Sequence, residues 1–244
     1  MLGTIFLLAL RSIRRHVLRS LLTMLGIVIG VGAVVSMVTL GKATTAAVTQ
    51  QIAALGTNIL QVRPGQGFGR GGGGTTPRDF ELADIAAIRQ QVGGVTAAAP
   101  SVSSSATAIY EGANWSTTIN GTTSDYFRIS PWPLQEGRLF SPDEESAGKA
   151  VCIIGTTVAK NLFGNADPVG KRFRLGNVSC DVIALLSTKG QAGFGGDQDD
   201  TVIMPLKTVQ RRYLGTTTVR TILVGIDDHY SSEQVQATLA SLLR

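Results

Sequence analysis

The chain has 244 residues, 43% of them hydrophobic, and a formal net charge of +5. Residues 1–42 hold Arg11, Arg14, Arg15, Arg19 and Lys42 and no acid, so the whole excess sits there and the rest of the chain is neutral. A nucleic-acid binder needs a basic face on its folded domain, which this distribution excludes, and the length allows one membrane segment with one or two small domains.

The opening stretch MLGTIFLLALRSIRRHVLRS is apolar at Ile5, Phe6, Leu10, Ile13, Val17 and Leu18, with its arginines at helical spacing. The pattern predicts an amphipathic helix over 1–19 on the cytoplasmic membrane face. Ser20–Gly41 then runs without a charged side chain. At about 1.5 Å per residue it crosses a hydrocarbon core of about 30 Å. It exceeds a signal-peptide core and ends without an A-x-A cleavage site. We expect an uncleaved transmembrane helix over 20–41. A pilin-type helix would carry a Gly-Phe processing site and an early glutamate, and SLLTMLGIVIGV has neither. Arg11, Arg14, Arg15 and Arg19 against Lys42 alone put the N-terminus in the cytoplasm and the body outside it. Gly26 with Gly30, and Gly32 with Ser36, are small-xxx-small pairs that let helix backbones approach.

Val48, Ile52 and Leu55 continue the helical spacing, which predicts a stalk helix over 42–56 stopped by Gly56. A first exported, porter-like subdomain is expected over 57–140. It begins with the strand NILQVRP and a Gly-rich loop, Gly65 to Gly74. That loop lacks the GK[ST] and the following helix of a phosphate cradle, and reads as flexible. Thr76, Pro77 and Asp79 predict a capped helix start, with Phe80, Ile85, Ile88 and Val92 as its apolar stripe. Strands over 97–110 and 115–120 follow as a hairpin about EGAN.

A second exported subdomain is expected over 141–230. Asp143, Glu144 and Glu145 read as the start of a surface turn. AVCIIG reads as a buried strand, TTVAKNLFG as a helix, and KRFRLGNVSCDVIALL as two strands about Gly176-Asn177. DTVIMP is a strand ended by Pro205, LKTVQRRYLG a short helix and TVRTILVGI a strand. Residues 231–244 predict a closing helix leading back toward the membrane, with a Ser231–Gln234 capping box and a Tyr230–Val235 staple. Mixed helices, strands and hairpins indicate an α+β fold: one N-terminal transmembrane helix and a mixed α/β exported domain of two subdomains.

The chemistry-bearing residues are few. GNADPVGKR has five residues between Gly164 and Gly170, and Arg172 after Lys171, so it is a turn and not a P-loop. GDQDD, Gly196 to Asp200, lacks EF-hand spacing and reads as a solvated loop. With His16 and His229 the only histidines and no G-x-S-x-G elbow, no catalytic constellation, metal site or cofactor site is expected. Cys152 and Cys180 leave two readings: small buried strand residues, or a disulfide that an exported compartment would permit.

The stretches LRSLLTMLGIVIGVGAVV, LGTNILQV, DYFRI, LQEGRLFSPDE, VCIIGTTVAKNLFGNADPVGKRFRL and DTVIMPLKTV, in that order, resemble the MacB family of ABC transporter permeases. The matching part of the family is its first membrane helix and periplasmic core domain. The resemblance implies a homodimeric permease of the bacterial inner membrane with four membrane helices per subunit. It implies an exported domain of two subdomains, one inserted into the other, and drive from a cytoplasmic ABC ATPase. A periplasmic adaptor and an outer-membrane duct are the further partners it implies. These 244 residues include neither the ATPase nor the later helices, so the chain is expected to be a fragment or one part of a split permease, with the nucleotide site on a partner chain. The competing reading is a single-pass, membrane-anchored sensor or scaffold without a transport role.

Overall fold

The computed structural model describes residues 17–54, 59–65, 78–191 and 196–243. It divides into two compact units, Met1–Ala53 and Ala54–Arg244.

The first unit is built on helix α1, Val17–Ala54, which passes Lys42 without a break. Val17–Thr45 is long and apolar enough to cross a membrane, with a mean hydropathy of 2.5 and none of its apolar window buried. Leu21, Leu22, Leu25, Ile27, Val28, Ile29 and Val31 are all exposed, so apolar side chains surround the helix on every side. A helix apolar all round suits lipid and not a protein–water boundary. Thr23, Thr39, Thr44 and Thr45 donate their hydroxyls back to carbonyls one turn earlier, which satisfies these polar groups without water. The surface-helix expectation for 1–19 falls almost wholly outside the described residues.

The second unit is a mixed sheet with helices on both faces. Its elements are β1 (Ile59–Val62), α2 (Leu82–Gln91), β2 (Val95–Tyr110), β3 (Ala113–Thr122), α3 (Asp125–Ile129), β4 (Leu134–Gly137), α4 (Pro142–Ala147), β5 (Val151–Ile154), α5 (Thr156–Phe163), β6 (Arg172–Leu175), β7 (Val178–Leu186), β8 (Thr201–Pro205), α6 (Leu206–Val209), β9 (Thr221–Ile226) and α7 (Ser232–Leu242). The strand order is β1-β9-β2-β3-β8-β5-β7-β4, with β6 alongside β2 and β7. Strand β2 belongs to two neighbourhoods. Val95–Ser101 pairs with β9, and Val102–Tyr110 pairs with β3. Segment 141–230 thus interleaves with 57–140: β8 lies between β3 and β5, and β9 between β1 and β2.

Sequence pattern accounts for these placements. In β5, Cys152 and Ile154 face one core with α5, while Val151 and Ile153 face another with Phe127, Trp132 and Phe140. In β8, Val202 and Met204 divide from Ile203 in the same way. A strand buried on both faces reads as a continuous apolar run, which is what VCII and VIM are. The β2–β3 hairpin turns on Glu111 and Gly112, both at positive φ, as a tight two-residue connection requires.

Two helix starts differ from the sequence reading. Helix α2 opens at Leu82, not near Thr76, because the Phe80 backbone is paired with Val219. Its N-cap is Glu81, whose backbone N–H donates to the Asp84 carboxylate at 2.7 Å. Ile85, Ile88 and Val92 do form the buried stripe. At α7, Ser231 makes no side-chain cap bond, and the Tyr230 ring lies against Gly94.

Candidate functional site

Where β1, β9 and β2 lie side by side, their outer ends form one wall of a polar cleft of about 640 Å³. Register puts Val62 opposite Ile222 and Ser101 opposite Thr221, so Arg63 leaves β1 beside them. The β3 neighbour of Ser103 is Asn120, which also lines the cleft. The other wall is the loop after α6, through Thr216, Thr218 and Arg220.

That loop is held from behind. A π-helical turn, Gln210–Leu214, follows α6. Gln210 is buried, and its side-chain amide donates to the carbonyls of Thr217 at 2.8 Å and Thr218 at 3.2 Å. Tyr213 of the same turn donates to the Leu175 carbonyl at 2.9 Å, and burial pushes its phenol up to about 12. On the cleft side the Thr218 hydroxyl donates to Asp79 at 3.1 Å, and Arg220 stands 3.6 Å from the same carboxylate. A second, more apolar groove of about 590 Å³ runs between β1 and α7, past Leu60, Val62, Phe80, Leu239 and Leu243.

The predicted site residues fall in several places. Arg19 is exposed in the first turns of α1, and Arg11, Arg14 and Arg15 lie outside the described residues. A methyl group added at Gly26, Gly30 or Gly32 meets nothing within 4 Å, so that helix surface is open; Ser36 follows on the same helix. Cys152 and Cys180, fully buried on the adjacent strands β5 and β7, are joined as a disulfide with Cα atoms 5.9 Å apart.

Two acidic stretches behave differently from their sequence reading. Asp199 is buried and accepts from the backbone N–H groups of Lys189 and Gly190 at 2.8 and 3.0 Å. Asp197 accepts from Thr157, and Asp200 from the Trp115 indole. GDQDD is thus solvated at Gly196 and Asp197, as expected, but turns inward at Asp199 and Asp200, which are held by donors from other segments. In the expected surface turn, Glu144 is buried against Arg138 through two bonds of 2.7 Å, and Glu145 receives the Ser124 N–H and hydroxyl. Arg138 and the Ser141 donors hold the Glu144 carboxyl at about 2 against the opposing effect of burial. Lys189 lies over the Trp132 ring at 4.2 Å, and burial lowers its pKa. Among the described residues no group of three His, Cys, Asp or Glu is placed to hold a metal ion. The cleft itself escaped sequence reading: Arg63, Asp79, Ser103, Asn120, Thr218 and Arg220 come from five separate stretches and carry no shared motif.

The family model for the MacB-like periplasmic core domain matches residues 20–242. The chain belongs to that family. It is 39% identical over 99% of its length to the macrolide export ATP-binding/permease protein MacB of Rhodospirillum rubrum. It is 37% identical over 96% of its length to the MacB protein of Azoarcus sp.. It covers 37% and 35% of those two proteins, so it spans little more than a third of the curated relatives it matches. The crystal structure of the periplasmic region of MacB from Actinobacillus actinomycetemcomitans has the same fold: TM-score 0.65, 24% identity, 79% of this chain and 85% of that one covered. The extracellular domain of the ABC-type transporter YknZ from Gram-positive bacteria aligns at TM-score 0.57 and 27% identity, over 68% of this chain and 82% of that one.

Proposed function

We propose that this MacB-like chain is a non-catalytic permease component of an ABC transporter. Helix α1 stands in the bacterial inner membrane, with the N-terminal arginines cytoplasmic and the sheet domain in the periplasm. A cytoplasmic ABC ATPase hydrolyses ATP, and α1 carries the resulting movement to the domain for efflux. The chain works as a homodimer, with a periplasmic adaptor and an outer-membrane duct as downstream partners. The observation that carries this reading is the match to proteins named as ATP-binding/permeases over nearly the whole chain, α1 included. The buried disulfide supports the exported side, since thiols stay reduced in the bacterial cytosol.

The test is co-purification of the native protein with its ATPase and measurement of ATP turnover in membranes. Turnover is expected to depend on this chain. Ile52→Pro, which removes a helix hydrogen bond near the end of α1, is expected to uncouple turnover from export while leaving insertion intact. Unchanged coupling in a correctly inserted variant, or failure of any ATPase to associate, would favour the sensor or scaffold reading.

A further inference from the structure

The polar cleft between the β1–β9–β2 sheet end and the loop after α6 is unusual in its donor balance. Its polar lining includes two guanidiniums, Arg63 and Arg220, two side-chain amides, Gln61 and Asn120, and the hydroxyls of Ser101, Ser103, Thr216, Thr218 and Thr221. One carboxylate, Asp79, also lines it, and Thr218 and Arg220 already engage the same oxygen of that group. No ion pair ties Arg63 to a carboxylate among the described residues. The cleft therefore presents a surplus of positive charge in a space of about 640 Å³, within the range of small-ligand sites.

A second feature is independent of this inventory. The loop that carries Thr216, Thr218 and Arg220 is fixed from its far side by the buried Gln210 amide. Gln210 begins a π-helical turn, a rare element found often at functional positions. The same loop is braced internally: the Thr218 N–H donates to the Thr216 hydroxyl at 2.9 Å, and the two hydroxyls bond each other at 2.7 Å. With Thr218 donating to Asp79, Thr216 donates to Thr218, so both hydroxyl protons are used within the loop; what they fix is the backbone that carries Arg220, which then loses less freedom on meeting a ligand.

We infer that this cleft binds the terminal oxyanion of a small hydrophilic ligand, a carboxylate or a phosphate monoester. Arg63 and Arg220 supply the charge, through guanidinium forks that match the geometry of either group. Asn120, whose amide donates to Thr201 at 2.8 Å and keeps its second N–H, takes the ligand's neighbouring polar atoms together with Ser103. Arg220 is 84% exposed, so water and salt screen the attraction. Affinity for a minimal probe is accordingly on the order of 1 mM and falls with ionic strength.

The test uses the full chain in detergent micelles, followed by amide NMR shifts and titrated separately with N-acetylglycine and with inorganic phosphate at constant ionic strength. Saturable shifts are expected at Ser103, Asn120, Thr216 and Thr218. The tighter of the two probes identifies the source of the oxyanion. Arg220→Gln is expected to weaken binding about tenfold, the loss of one charge-assisted contact. Arg63→Gln with Arg220→Gln should abolish it, while the shifts of the β5 and β8 core stay in place as a folding control. The inference is overturned if neither probe saturates, if sodium chloride reproduces the same shifts, or if the double variant binds like the native chain. ATPase coupling plays no part in these readouts, so they stand or fall apart from the transport proposal.

Discussion

Glu144 carries more of the local order than its place in a run of three acids suggests. It caps α4 at Ser141 and accepts two bonds from Arg138 at the end of β4, so one carboxylate ties a helix start to a strand end. Its pKa is depressed from 4.5 to about 2, first by Arg138 and then by the Ser141 donors, against burial. A depressed folded-state pKa stabilises fully above the unfolded value and is lost as pH falls through the folded one. The loss should therefore span roughly pH 4.5 down to 2. The full depression is worth at most about 3 kcal/mol. Arg138 is 56% exposed, and screening reduces this to about 1–2 kcal/mol. Glu144→Gln should lower denaturant stability by that amount at pH 7, with the difference from the native chain closing as pH approaches 2. A gap that stays constant with pH would rule this account out. Asp199 is a second buried acid held by donors from another segment. Asp199→Ala would strip partners from the Lys189 and Gly190 N–H groups, at a cost of about 1–3 kcal/mol in the same denaturation measurement. The capping box at Ser141 and Glu144 follows a sequence signature, yet burial of Glu144 and Asp199 does not. Acids are read as solvated by default, and what draws these two inside are backbone and arginine donors from other segments.

At the scale of elements, legibility followed locality. The β2–β3 hairpin, β5, β8 and α5 were readable because their signals lie within a few residues: a two-residue turn, doubly buried apolar runs and an i, i+3, i+4 stripe. Helix α2 was readable in its stripe but not in its start, since pairing of Phe80 with Val219 is a contact across the chain. The π-helical turn at Gln210 was hidden inside an ordinary helical pattern for the same reason: its anchors, Thr217, Thr218 and Leu175, are set by tertiary placement. The strand assignments for Cys152 and Cys180 could be made from pattern, whereas their bond depended on β5 and β7 being neighbours. That bond closes a loop between residues 28 apart. Restricting the unfolded chain by such a loop is worth about 3.6 kcal/mol. Cys152→Ala with Cys180→Ala should lose about 2–4 kcal/mol in chemical denaturation, and the native chain should show no alkylatable thiol until it is both unfolded and reduced. Ready alkylation of the folded chain would contradict a buried bond. The result also bears on location, because a cytosolic domain would present free thiols on denaturation alone.

For the whole molecule, the distribution of charge and apolar surface separates an apolar N-terminal helix from the rest, and among the described residues one helix is long and apolar enough to cross a membrane. What composition could not convey is how thoroughly α1 lacks cover. Its glycines at 26, 30 and 32 have open space where a side chain would sit, and its leucines and valines face outward all round. In lipid, apolar side chains gain nothing by leaving one hydrocarbon environment for another, so helices associate where small residues let backbones meet closely. The proposed homodimer predicts that this surface is where α1 meets another helix. Gly26→Leu with Gly30→Leu would fill the shallow face while making the helix more apolar, which favours insertion. Self-association in membranes, read by energy transfer between labelled copies, is expected to fall several-fold. Val28→Leu, on another side of the same helix, is expected to change nothing. Equal association in both variants would move the contact off the glycine face and leave dimerisation to segments other than α1.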